Sequence, residues 1–238
     1  MIKHIDNAFS IMWGDAKDFP VSHKGFEFES LCEALRKKLE LDQFVFAHQV
    51  HGVDGFFWGK DVDENRPLSS REIEGDFVIT DRKNVGIGVL TADCLPIIFY
   101  FHNQHIVAAV HAGWRGNVAN ICKVMLEKVQ EYATVDVAQI RVFFGPAAKK
   151  CCYEVSPDFL EHLNPFACKN DLIEERNGKL FFDNTMLAIK HLENLGIKLG
   201  QIDLTAHQCT MCSPGFHSYR KSTDKEMYRT QASIVWLK

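Results

Sequence analysis

Four apolar runs, at residues 77–80, 85–90, 95–101 and 106–111, follow one another with only short turn signals between them. Their hydrophobicity is continuous rather than alternating, which predicts strands covered on both faces. Further strands are expected at residues 44–50, at Phe56-Phe57-Trp58 after a turn at Gly52, at 140–144 before Gly145-Pro146, and at 232–237. Helical spacing appears elsewhere. Leu31, Leu35 and Leu39 recur on one face of a segment starting near Ser30. Val118, Ile121, Cys122, Met125, Leu126 and Val129 form a second stripe, with Asn117 as its expected cap. A third helix over residues 186–195 is stopped by Gly196. Residues 64–74 are polar, carry Pro67 and two serines, and are expected to form an exposed loop. More strands follow one another than strict βαβ alternation would produce. The expectation is therefore an α/β chain of stacked mixed sheets covered by helices. With no internal repeat and no convincing linker, it forms a single domain over residues 1–238.

Composition narrows the partners. There are 27 Lys and Arg against 31 Asp and Glu, a net charge of −4, and no long basic run, so nucleic acid is not expected as a partner. No window approaches the roughly 20 apolar residues of a membrane span, and the start, Met1-Ile2-Lys3-His4-Ile5-Asp6, lacks a signal-peptide core. A chain of 238 residues can build its core without disulfides, so its eight cysteines are expected as free thiols or metal ligands in a cytoplasmic protein. Nothing in the sequence sets an oligomeric state.

The densest reactive side chains stand at expected strand ends. His51 closes the 44–50 run, Cys94 lies in Thr91-Ala92-Asp93-Cys94-Leu95-Pro96, and His111 opens His111-Ala112-Gly113-Trp114-Arg115-Gly116. A strand-to-turn junction presents a side chain to a cleft from a rigid support. Two imidazoles and a thiolate suit Zn²⁺ and leave a fourth position open; the same donors accept copper. Singly, each of the three also fits a satisfied core histidine or a buried thiol. Arg115 lies in a Gly-flanked turn before the expected helix, where a guanidinium and a helix N-terminus would make an anion pocket, although it also fits a surface ion pair. Asp93 would orient a ligating histidine or a substrate hydroxyl, or else cap its turn. His48 is the rival of His51.

Other patterns carry less. Gly86-Ile87-Gly88-Val89 lacks the third glycine of a dinucleotide loop and runs into a strand. A P-loop and the zinc-deaminase signature are absent. Cys209-Thr210-Met211-Cys212 is a C-x-x-C of the kind that binds a second zinc or acts as a redox pair; with no second C-x-x-C in the chain, it is expected to be dispensable for catalysis. Cys151-Cys152 reads as packing before Tyr153.

Thr91-Ala92-Asp93-Cys94-Leu95-Pro96 and His111-Ala112-Gly113-Trp114-Arg115-Gly116 together resemble the laccase-domain family, once called multicopper polyphenol oxidases and better described as purine nucleoside phosphorylases. The resemblance extends over Gln49-Val50-His51-Gly52, Gly75-Asp76-Phe77-Val78-Ile79-Thr80-Asp81, Gly145-Pro146, Cys151-Cys152-Tyr153-Glu154-Val155, Phe216-His217-Ser218-Tyr219-Arg220 and Gln231-Ala232-Ser233-Ile234-Val235-Trp236-Leu237. It implies an αββα sandwich and a catalytic zinc on the histidine of Q-V-H-G, the cysteine of A-D-C and the histidine of H-A-G-W, here His51, Cys94 and His111. It also implies phosphorolysis of adenosine, inosine, guanosine and methylthioadenosine, with adenosine deamination alongside. Purine nucleosides and phosphate are then the expected partners. This chain departs from the family where T-G-R-Q-A-S is usual: Tyr228-Arg229-Thr230-Gln231-Ala232-Ser233 lacks the glycine and displaces the arginine, so Arg229 receives no family role. The stretch before Cys151, with Lys149-Lys150, differs as well, and the role of Arg220 stays open.

Zinc-activated water attacking C6 of adenine accounts for deamination. Phosphorolysis needs a placed phosphate, for which Arg115 is the expected holder. Three alternatives stand beside this reading: a copper-dependent polyphenol oxidase, a cysteine hydrolase with Cys94 as nucleophile and His111 as base, and a non-catalytic protein with structural zinc.

Overall fold

Every residue of the four central apolar runs is buried, as strands with no polar alternation require. The structure, a computed structural model, describes residues 2–17, 21–22, 27–63, 72–226 and 228–238. Along the chain run β1 (Ile2–Ile5), β2 (Phe9–Trp13), β3 (Val21–Ser22), α1 (Glu27–Leu39), β4 (Gln43–Phe46) and β5 (Gly55–Trp58). The central strands are β6 (Phe77–Thr80), β7 (Val85–Thr91), β8 (Leu95–Phe101) and β9 (Ile106–Ala112). Then come α2 (Trp114–Val118), α3 (Ile121–Gln130), β10 (Ile140–Phe144), β11 (Glu154–Val155), α4 (Lys169–Leu172) and β12 (Ile173–Arg176). The chain finishes with β13 (Lys179–Phe182), α5 (Asn184–Asn194), β14 (Ile202–Asp203) and β15 (Arg229–Leu237).

Two large mixed sheets stack face to face. The first has the order β1-β2-β15-β7-β4, with β3 also on β15; the second has the order β14-β10-β8-β9-β6-β5. Between them lies an apolar layer, with Phe9, Ile11 and Val235 from the first sheet against Trp58, Val78 and Tyr100 from the second. The outer face of the second sheet, with Ile97, Phe99 and Val110, buries Met125 and Val129 of α3 and Leu192 of α5. The outer face of the first takes Phe28 and Leu35 of α1 on Met12, Phe46 and Ile234. The layers are thus helix, sheet, sheet, helix, the expected αββα sandwich. Each fully buried Leu or Met contributes about 1.5–3 kcal/mol, and Leu192→Ala would cost about 2–5 kcal/mol. A small third sheet, β11-β13-β12, packs Phe182 and Val155 with Leu187 of α5 and Trp114 of α2.

Several expectations need correction. The strand expected over 44–50 stops at Phe46, because the following residues turn to other partners: the Gln49 amide pairs with both the N–H and the C=O of Leu90, each at 2.8 Å. Asn117 does not cap the long helix. It lies inside α2, buried, with its side-chain amide donating to the backbone and side-chain oxygens of Asn184. Asn120, in the left-handed conformation, caps α3 by accepting from the Lys123 N–H. The first helix begins at Glu27 rather than Ser30, and the last strand at Arg229 rather than Ala232. Of the loop expected over 64–74, residues 64–71 lie outside the described residues, while Glu74 forms a bridge with His48.

Candidate metal centre

The connection from β7 to β8 is only residues 92–94, yet it passes from one sheet to the other. Asp93 takes φ +91° to make that corner, and Cys94 is set at the seam between the layers. His111 sits near the end of β9 directly opposite Pro96 of β8. His51 follows β4 in a turn and has φ +62°. The ligating atoms of His51, Cys94 and His111 all lie within 4.8 Å of one another, with the two imidazoles edge to face at 84°. His111 is buried, Cys94 half-buried and His51 exposed, so the cluster opens to solvent on the His51 side. His48, also exposed, is not part of it.

Asp76 organises the cluster, and no reasoning on the sequence assigned it a role. It is wholly buried. One oxygen receives His111 Nδ1 at 2.7 Å and the His51 N–H at 3.0 Å; the other receives the Gly52 N–H at 2.6 Å and the Val50 N–H at 3.3 Å. A buried carboxylate is tolerated only with such partners, and here they orient His111 through its ring and His51 through its backbone. The available signal was an aspartate standing directly before the buried 77–80 run.

Burial opposes ionisation of Asp76, but the hydrogen bond and charge of His111 and the Gly52 and His51 amides outweigh it, holding the carboxyl below its ordinary range. Burial likewise resists a Cys94 thiolate, yet His111 and His51 bring the thiol down to about 6. His111 moves the other way, up to about 9, because Cys94 and Asp76 overcome its desolvation. Cys94 and His111 thus pair as thiolate and imidazolium, and a cation held there would replace the proton that His111 shares with the sulfur. Close packing fixes the local backbone. A Cβ on Gly113 would come within 3.2 Å of the His51 ring and 3.3 Å of the Cys94 sulfur, and one on Gly116 would meet the Gly52 carbonyl at 2.6 Å. Two imidazoles and a thiolate, one ring braced by a buried carboxylate and one side open, fit the donor chemistry of a three-ligand zinc centre.

The other expected site residues are placed differently. The Asp93 carboxylate accepts from the Thr210 hydroxyl (2.6 Å), the Ser218 hydroxyl (2.9 Å) and the Arg220 N–H (2.7 Å) rather than orienting a histidine. Arg115 is exposed within the five-residue α2, its guanidinium 4.3 Å from the Trp114 ring centre; the long helix starts later, at Ile121. Arg220 stacks on Tyr153 and donates to the Glu154 carbonyl at 2.5 Å, and Arg229 is exposed on β15. The Cys151-Cys152 pair is not simple packing before Tyr153: Cys151 is exposed, and both residues belong to a second cluster with Cys209 and Cys212.

Fold and site together define the class, a mixed α/β sandwich with an open His/His/Cys cluster at the seam of its two sheets. The family described as multi-copper polyphenol oxidoreductase laccase matches residues 27–238, and the chain belongs to that family. A purine nucleoside phosphorylase of Aquifex aeolicus (strain VF5) is 43% identical over 175 residues, 74% of this chain and 76% of that protein. A protein named adenosine deaminase RL5, from an unknown prokaryotic organism, is 32% identical over 206 residues, 80% of this chain and 74% of its own length. The crystal structure of the Bacillus licheniformis hypothetical protein YfiH has the same fold, with a TM-score of 0.81 at 23% identity over 97% of this chain and 93% of that one.

Proposed function

We propose that this protein is a cytoplasmic purine nucleoside phosphorylase acting on adenosine, inosine, guanosine and methylthioadenosine, with adenosine deamination alongside, and that His51, Cys94 and His111 hold its zinc ion. The observation that carries the reading is the convergence of those three side chains, braced by Asp76, in a chain 43% identical to a protein named purine nucleoside phosphorylase. When bound, zinc supplies Lewis acidity that polarises an oxygen and eases deprotonation of water. Asp76 holds the proton of His111 at Nδ1, which leaves Nε2 as the ligating atom. Asp93 acts by position: its three donors pin the corner that presents Cys94. Arg115 receives the phosphate. It is exposed and follows Gly113, which lies against all three ligands, by two residues, and a guanidinium matches phosphate oxygens in a bidentate fork.

Incubation of the purified protein with adenosine and phosphate, read by chromatography, tests this directly. Adenine with ribose 1-phosphate reports phosphorolysis, inosine reports deamination, and the appearance of neither would sink the proposal. A second reading has one observation behind it: Cys94, His111 and Asp76 line up as nucleophile, base and orienting acid. Against it, His51 also reaches the Cys94 sulfur, and a nucleophile needs one base rather than two. Turnover by metal-free protein that is abolished by thiol alkylation would favour the hydrolase. Phenol oxidation dependent on added copper would favour the oxidase.

A further inference from the structure

We propose that Cys151, Cys152, Cys209 and Cys212 bind a second, structural zinc ion as a closed tetrathiolate. The four sulfurs all lie within 4.8 Å of one another. Cys151 Sγ and Cys212 Sγ are 3.7 Å apart, far beyond the roughly 2.05 Å of a disulfide. Four thiolates at about 2.3 Å from a tetrahedral zinc stand about 3.8 Å from each other. The Cys151–Cys212 separation matches one edge of such a tetrahedron, and all eight cysteines are free thiols.

The backbone builds this cluster from two turns far apart in sequence. Ala147 and Cys209 form a bridge: the Ala147 N–H donates to the Gln208 carbonyl, and the Thr210 N–H donates to the Ala147 carbonyl, each at 3.0 Å. Beyond it, the Lys149 carbonyl accepts from the Cys152 and Tyr153 N–H groups at 2.8 and 2.9 Å, folding the Cys151-Cys152 pair back toward the bridge. On the other side, the Ser213 N–H donates to the Cys209 carbonyl at 2.9 Å and closes the C-x-x-C turn. Burial opposes ionisation of Cys209, yet the amides of Lys149, Cys212 and Met211 outweigh it and bring that thiol down to about 7. Cys152 is instead pushed up to about 11, by burial and by the sulfurs of Cys212 and Cys209, against the lowering effect of Cys151. Crowded thiols cannot all ionise against one another; a divalent cation among them removes that conflict. Cys209 is buried while Cys151 and Cys212 are exposed, so one edge of the cluster is accessible to an entering ion.

The proposed ion has a structural task. Between the two cysteines of the turn stands Thr210, whose hydroxyl holds the Asp93 carboxylate at 2.6 Å, one residue before Cys94. Clamping the 209–212 turn thereby steadies the corner that presents a ligand of the first cluster.

Zinc analysis of the full chain, purified anaerobically under reducing conditions, is the test. The wild type is expected to carry two zinc ions, and both Cys94→Ala and Cys209→Ser/Cys212→Ser one each. Should the double variant not fold, cysteine mapping by alkylation and mass spectrometry on the wild type decides the matter. Zinc should shield Cys151, Cys152, Cys209 and Cys212, and a chelator should expose them. Cobalt(II) added to the metal-free chain should give the intense visible bands of tetrahedral all-thiolate coordination. A single zinc per chain with these four thiols equally reactive before and after chelation would overturn the proposal. So would a Cys151–Cys212 disulfide in the anaerobic protein.

Discussion

The two thiol-bearing clusters of this chain solve the problem of gathering donors in opposite ways. His51 comes from a turn between β4 and β5, Cys94 from the corner between the sheets and His111 from the end of β9; the set includes one exposed donor and is braced by the buried carboxylate of Asp76. Cys151, Cys152, Cys209 and Cys212 come from two turns tied by backbone hydrogen bonds; they offer four sulfurs. Three mixed donors leave a position for chemistry, whereas four thiolates close the coordination shell. The lesson is that openness goes with rigid supports and an orienting acid, closure with turns that a metal itself can hold together.

The largest effect should come from removing a ligand of the open cluster. His51→Ala, Cys94→Ala and His111→Ala are each expected to lower the bound metal by one ion per chain and reduce nucleoside turnover to background, as read by elemental analysis and product assay. Full metal content in all three variants would erase the distinction between the clusters.

Asp76→Ala comes next. A lost orienting partner typically weakens metal affinity by about 10–100-fold, and three backbone N–H groups lose their acceptor, so unfolding free energy should fall by about 3 kcal/mol. Competition with a chelator and urea denaturation measure the two effects. Unchanged affinity would mean that the histidines orient themselves.

Arg115→Lys keeps the charge but loses the fork. Phosphorolysis should weaken about tenfold to a hundredfold, chiefly through a raised phosphate KM, with deamination less affected. Equal loss of both activities at constant zinc would move Arg115 from phosphate to nucleoside or fold.

The smallest effect separates acid loss of metal from acid loss of fold. His191, buried in α5 against Phe166, is held below its ordinary value by desolvation, which outweighs its backbone hydrogen bond. The unfolded chain therefore binds that proton more readily, and this contribution to stability is present above about pH 6.5 and lost as pH falls. His191→Gln should flatten the pH dependence of the denaturation midpoint between pH 7 and 5 without changing metal content. An unaltered slope would place the acid sensitivity elsewhere.

Local pattern carried much of this architecture. The runs at 77–80 and 95–101 coincide with β6 and β8, buried at every position, because strands covered on both faces lose the polar alternation; the run at 140–144 coincides with β10, where Arg141 alone is exposed. The N-terminal β1–β2 hairpin and the third sheet escaped, since short strands such as Glu154–Val155 hold no periodicity to read. The chemical types of His51, Cys94 and His111, and their places at turns, were likewise visible along the chain. Their convergence was a matter of tertiary structure. So was the partnership of His111 with Asp76, 35 residues away, that of Cys151 with Cys212, 61 residues away, and that of Asp93 with Thr210, 117 residues away. The capping asparagine was decided the same way, when Asn184 engaged the side chain of Asn117 and left the cap to Asn120. Hydrophobic period and propensity act over a few neighbouring residues. Which turn meets which depends on sheet order and strand register, and those are settled only when the two sheets close on one another.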